Sequence, residues 1–137
     1  MGLRRIPQAL AVPSVSLAHL PVPVRTVLEA ADDRKARDVV ALDLRGLTDA
    51  ADYFVVASGT SDAHVRGIAN LVLQRLAERG VEAHHVEGIA GGRWVLLDFI
   101  DFVVHLFHPE ARAFYQLERL WGDAPALRYS PTPERKV

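Results

Sequence analysis

Cysteine is absent from the 137 residues. That excludes disulfide frameworks, CxxC redox motifs, thiolate zinc sites and cysteine nucleophiles, and it makes a reducing compartment such as the cytoplasm the expected setting. No apolar run approaches the roughly eighteen residues that a membrane span needs, so no membrane association is expected. A dominant charge of one sign is missing too, since the formal net charge is −1. The balance is uneven along the chain, however. Residues 1–28 carry three arginines and no acid, whereas residues 29–121 carry ten basic and fifteen acidic side chains, a net −5. An acidic middle is a poor counterion for a phosphate backbone, so little or no direct contact with nucleic acid is expected. Any work near nucleic acid would pass through a basic protein partner. The remaining composition, 50% apolar and 24% charged, suits one compact domain with a single core.

Several catalytic patterns are also missing. Metal-dependent phosphoryl or nucleotidyl transfer wants two or three carboxylates close enough to hold Mg²⁺ against phosphate oxygens, and no Asp-x-Asp occurs in the chain. Ser58-Gly59-Thr60-Ser61-Asp62 has the glycine, hydroxyls and helix start of a phosphate cradle. It lacks the following Lys and the second glycine of a P-loop, which leaves Thr60 or Ser61 as a helix cap. The same segment lacks the glycine-x-serine-x-glycine elbow of a serine hydrolase. Neither His84-His85 nor the His105, His108 pair has the i, i+4 helical spacing of a metalloprotease. His105, inside Val103-Val104-His105-Leu106-Phe107, is expected to be half-buried and hydrogen-bonded. No cofactor is implied.

Residues 1–22 contain Arg4-Arg5 ahead of an apolar stretch that Pro7 and Pro13 interrupt. They fit neither a secretory signal nor a transit peptide well, and are expected to be a disordered extension. Residues 122–137, with Pro125, Pro131 and Pro133, read as a flexible tail. Between them, residues 23–121 form the domain. Val24, Val27, Leu28 and Ala31 make a helical stripe opened by Pro23, and residues 39–44 and 52–58 read as strands. A single helical turn is expected over 47–51. Val65, Ile68, Ala69, Val72, Leu76 and Ala77 predict a long helix over 61–79 with Gly80 as its left-handed cap. Residues 84–87 form a short strand, residues 94–100 and 102–107 an antiparallel pair, and Pro109 opens a last helix reaching Trp121. The order implies an α/β (α+β) domain, a mixed sheet of about five strands covered by helices.

The surface carries the remaining signal. Arg93-Trp94 follows Gly91-Gly92 and sets an indole beside a guanidinium, a pairing enriched in interface hot spots. Glu87, Asp98 and Asp101 supply acids around the same part of the sheet, suited to a basic partner.

Three segments resemble one family in order and spacing: residues 52–65 from Asp52-Tyr53-Phe54, residues 86–99 with Val86-Glu87-Gly88 and Gly92-Arg93-Trp94, and residues 101–121 with His105-Leu106-Phe107-His108-Pro109. The family is that of ribosomal silencing factor S, or Iojap-like, proteins, and the resemblance spans about residues 23–121. It implies a nucleotidyltransferase-like fold without transferase activity. It also implies binding to the large ribosomal subunit through its fourteenth protein, at the face the small subunit joins. Such a factor blocks subunit joining and represses translation when nutrients are short; organellar relatives aid large-subunit assembly. Expected contacts are Glu87, Arg93, Trp94, Asp98, Asp101 and His105, with Trp94 as anchor. Two other readings stay open: a nucleotide-binding or nucleotidyl-transferring enzyme around Gly59-Thr60-Ser61, and a homodimer joined through sheet edges. The family pattern has glycine where this chain has Ile100. A two-residue hairpin turn favours positive φ, which a β-branched residue resists, so a wider turn or another register is expected there.

Overall fold

The computed structural model describes residues 16–111, 122 and 124–129. Helix α1 spans Val22–Asp33, with Pro23 in its first turn. Its predicted stripe of Val24, Val27, Leu28 and Ala31 is fully buried. Thr26, also buried, satisfies its hydroxyl by donating to the Val22 carbonyl one turn back. Helix α2 spans Asp62–Glu78 and is capped by Ser61, whose hydroxyl accepts the His64 N–H. The segment read as phosphate cradle or cap therefore uses Ser61 as the cap.

Both helices end in the same motif. After α2, Gly80 at φ 80 donates to the Ala77 carbonyl while Val81 donates to Leu76. After α1, Lys35 at φ 60 donates to Asp32 while Ala36 donates to Ala31. These are paired Schellman bonds that consume the orphan carbonyls of the last turn. They need a left-handed residue, which glycine supplies without strain and lysine does not.

Six strands form one mixed sheet: β1 (Arg37–Asp43), β2 (Tyr53–Ser58), β3 (His85–Glu87), β4 (Trp94–Asp98), β5 (Phe102–Phe107) and β6 (Ala126–Arg128). Their spatial order is β3-β4-β5-β2-β1-β6. Only β2 and β5 run parallel; the other neighbours are antiparallel. A bulge in β1 between Arg37 and Val40 interrupts its register with β2, and Asp38 takes a positive φ there. Both helices lie on one face of the sheet, where Val55, Ala57, Val95, Leu97, Val104 and Leu106 join Val24, Leu28, Ile68 and Val72 in the main core. On the other face Val40, Leu42, Val56 and Phe107 form a smaller cluster with Leu44 and Ala124, flanked by Ala111 and Ala126.

Four sequence expectations change. The sheet has six strands, not about five, because Ala126–Arg128, assigned to the flexible tail, pairs with β1. Leu127 opposite Ala41 packs against the main core, and that burial outweighs the proline-rich surroundings. Residues 16–22 are not all outside the domain, since Leu20 is only 3% exposed within the core and a 3-10 turn covers Leu17–His19. The helical turn expected over 47–51 is a hydrogen-bonded turn at 45–47 followed by bends; Asp43 competes for the backbone by accepting the Arg45 N–H. Finally, the β4–β5 hairpin keeps its tight turn. Asp98 lies opposite Val103, leaving Ile100 and Asp101 as the two loop residues beyond Phe99 and Phe102, and Ile100 adopts φ 76. The last predicted helix begins as a 3-10 turn at Pro109–Ala111; residues 112–121 of it lie outside the described residues.

Candidate docking face

Alternation along the strands decides which side chains meet. Val95 and Leu97 point to the helices, so Trp94, Leu96 and Asp98 point away from them. On β5, Val104 and Leu106 face the helices while Val103, His105 and Phe107 face the other side. The register then lays out cross-strand rows on that second face. Glu87 sits opposite Leu96, Leu96 opposite His105, and His105 opposite Val56. Trp94 pairs with Phe107, and His85 with Asp98. Four of the six residues singled out from sequence, Glu87, Trp94, Asp98 and His105, therefore share one face.

The centre of this face is aromatic. The Trp94 indole N–H donates to His105 Nδ1 at 3.2 Å, and the indole ring lies 5.2 Å from Phe107. Phe54 meets the imidazole edge-on at 4.7 Å. His105 is 5% exposed, yet Trp94 is 49% exposed. An indole beside a buried cluster would ordinarily be covered, so half of a rigid, well-oriented aromatic surface faces solvent. Burial pushes the His105 imidazole down to about 4, because the desolvated cation loses its hydration. The ring is neutral at physiological pH, and its Nδ1 acts as acceptor. The proton accordingly sits on Nε2, which is buried and has no hydrogen-bond partner among the described residues.

The edge of the face is charged. Glu87 pairs with His85 two residues back on the exposed edge strand. Asp98 accepts the Ile100 N–H at 2.8 Å. Arg93 and Asp101 do not belong to the face itself. The Arg93 guanidinium lies 3.8 Å from the Glu110 carboxylate, both well exposed, a pair of little energetic weight. The Asp101 carbonyl accepts the Asp52 N–H at 2.8 Å and the Tyr53 N–H at 3.3 Å, so its backbone anchors the start of β2 while its side chain stays in solvent.

Two glycines fix where Trp94 begins its strand. A Cβ on Gly88, which has φ +85, would fall 2.1 Å from the Trp94 carbonyl oxygen, and one on Gly92, at φ +71, 2.7 Å from the Asp62 carbonyl oxygen. The loop from β3 thus passes against both β4 and the start of α2, an approach only glycine permits. At that helix start the Thr60 N–H donates to His64 Nδ1 at 2.8 Å while His64 Nε2 reaches the Arg34 carbonyl at 2.6 Å, tying α2 to the end of α1. Sequence reasoning missed Leu96 and Phe54 as neighbours of the aromatic centre, and His85 as the partner of Glu87 at its charged edge. The alternating pattern of β4 and β5 carried part of that information, but the register that sets Leu96 between Glu87 and His105 is a long-range property. Among the described residues no three His, Asp or Glu side chains group in a way that could hold a metal ion. No described helix is long and apolar enough to cross a membrane.

The fold and this face define a small α+β domain with the two described helices on one side of a mixed sheet and a half-exposed indole on the other. The chain belongs to the ribosomal silencing factor family: the family model described as ribosomal silencing factor during starvation matches residues 18–136. It is 46% identical over 96 residues to the ribosomal silencing factor RsfS of Bacillus subtilis, covering 70% of this chain and 81% of that one. Against the factor of the same name from Halalkalibacterium halodurans it is 43% identical over 104 residues, covering 76% and 89%. The crystal structure of a protein from Chromobacterium violaceum superposes with a TM-score of 0.70 at 34% identity, covering 86% of this chain and 92% of that one.

Proposed function

We propose that this protein silences ribosomes by occupying space and makes no covalent bonds. It docks on the large ribosomal subunit through the open sheet face, against the fourteenth protein of that subunit, and keeps the small subunit from joining. The observation that carries this reading is the half-exposed Trp94, held in one orientation by His105 and Phe107 on a sheet face whose remaining large apolar side chains are mostly buried. A rigid indole that needs no ordering on contact is the usual centre of an interface hot spot. Glu87 and Asp98 edge it on the sheet, Arg93 and Asp101 lie in the adjoining loops, and the net −5 of residues 29–121 favours a basic protein over RNA as the surface met first. Membership of a family of silencing factors acting during starvation supports a steric repressor used when nutrients run short.

Cosedimentation of the purified protein with separated ribosomal subunits tests the reading. It should travel with large subunits only, and at saturation it should hold large and small subunits apart in magnesium that otherwise joins them. Trp94→Ala, folded by circular dichroism, should bind at least about thirtyfold more weakly, the effect of losing roughly 2 kcal/mol at a hot spot. Unaltered subunit joining at saturation, or binding of small subunits instead, would overturn it. Titration with ATP, CTP and GTP in the presence of Mg²⁺ addresses the enzymatic alternative, which would show pyrophosphate release. Light scattering of the free protein reads whether it is a monomer or a homodimer.

A further inference from the structure

The tip of the β4–β5 hairpin carries the most exposed of the large apolar side chains among the described residues: Ile100, 60% exposed. It also carries an unusual backbone. The Asp101 N–H donates to the Phe99 carbonyl at 2.9 Å across Ile100, and Ile100 has φ 76. An i to i+2 bond around a residue of this φ is the geometry of the strained γ-turn. A β-branched residue is among the worst occupants of that region, because its Cβ and branch crowd the neighbouring carbonyls. The surroundings enforce the conformation. Asp98 fixes the Ile100 N–H, the Phe99 N–H donates to the Phe102 carbonyl at 2.9 Å, the Phe99 and Phe102 rings stack at 4.8 Å, and the Asp101 carbonyl is held by the start of β2. Among the described residues the isoleucine side chain belongs to neither apolar cluster. It therefore combines two costs, strain in the backbone and an apolar group in water.

Such an outlier points to use outside the molecule. We infer that Ile100 is a second apolar anchor of the docking face, presented by the rigid hairpin tip into a partner socket that is apolar at its floor and basic at its rim. The rim follows from Asp98 and Asp101, whose carboxyl side chains flank the isoleucine in the chain. This inference rests on the reading of the sheet face as a docking surface and extends that surface beyond Trp94 to the end of β4.

Three variants test it against large subunits, with thermal unfolding followed in parallel. Ile100→Gly and Ile100→Asn both relieve a positive φ, so each should raise the unfolding midpoint by a few degrees. Each should at the same time weaken binding by about fivefold or more, the effect of removing a contributing interface side chain. Ile100→Leu keeps an apolar group and should bind like the wild type. A residue serving the fold alone would not show this opposition of higher stability and lower affinity. If Ile100→Gly and Ile100→Asn both bind as tightly as wild type while Trp94→Ala does not, the second anchor is wrong and the docking face stands. If the wild type itself fails to bind large subunits, the docking face falls and the anchor falls with it. Unfolding midpoints that drop in both variants would overturn the strain on which the inference is built.

Discussion

Trp94 reaches half into solvent while its indole nitrogen donates to a buried, neutral His105 one strand away. The acceptor role of Nδ1 exists only while the imidazole is uncharged, so the orientation of the exposed ring depends on the protonation of the hidden one. His105 is held down to about 4 in the folded chain, against about 6.5 for an unfolded histidine. Below the unfolded value the unfolded chain takes up a proton that the folded chain refuses. The stabilisation due to neutral burial is thus complete above about pH 6.5 and is lost as pH falls toward 4; the gap amounts to roughly 3 kcal/mol. The wild type should lose more stability between pH 6.5 and 4.5 than His105→Gln, as measured by urea unfolding at each pH. Parallel pH profiles for the two proteins would show that His105 is not the group responsible.

The hydrogen bond and the ring contribute separately to the same surface. Trp94→Phe keeps an aromatic side chain beside Phe107 but removes the donor that satisfies His105 Nδ1. A buried acceptor left unpaired costs about 1–2 kcal/mol. Urea unfolding of Trp94→Phe should show a loss of that size, while binding to large subunits should fall less than in Trp94→Ala.

The glycine that ends α2 and the glycine in the loop before Trp94 differ in what they would lose. Gly80, at φ +80, has nothing within 4 Å of a Cβ, whereas Gly88, at φ +85, would drive one to 2.1 Å from the Trp94 carbonyl oxygen. Gly80→Ala should therefore show only left-handed strain, about 1–2 kcal/mol. Gly88→Ala adds a backbone collision that no side-chain rotation relieves, and should be the more damaging by at least about 2 kcal/mol. Equal midpoints in thermal unfolding would contradict the close approach of the β3–β4 loop to Trp94.

Much of this architecture is written locally. The stripe Val24, Val27, Leu28, Ala31, the helix from Val65 to Leu76 and the Gly80 cap are short-range signals, and each element appears within a few residues of where its periodicity puts it. The candidate face is legible in part for the same reason: alternation sends Trp94 and Asp98 to one side together and His105 to the matching side of β5. What brings Glu87 into line with them is the register of β3, which no local pattern encodes. Strand β6 is hidden for a related reason. Three residues between prolines have no period of their own, and they become a strand because β1 offers an unpaired edge and Ala41 an apolar neighbour for Leu127. At Ile100 the local rule points to a wider turn, but the bonds from Asp98 and Phe102 hold the tight one, so tertiary constraint overrides backbone preference there.

Lys35 poses the same conflict at a site far from the docking face, which makes it a clean measure of how much strain the fold carries. It closes α1 at φ 60 within the same pair of backbone bonds that follows α2, Lys35 and Ala36 donating where Gly80 and Val81 donate there. Replacing lysine by glycine removes the left-handed penalty of about 1–2 kcal/mol but gives the unfolded chain extra freedom, which returns about 0.4–1 kcal/mol. Lys35→Gly should leave a net gain of about 0.5–1 kcal/mol, and Lys35→Asn, which tolerates the left-handed region at a smaller entropic cost, should gain by a comparable amount. Neither should alter binding to large subunits, since Lys35 lies at the end of a helix on the opposite side of the sheet from Trp94. A loss of stability in both variants would mean that the lysine side chain makes a contact whose value exceeds the strain of its backbone.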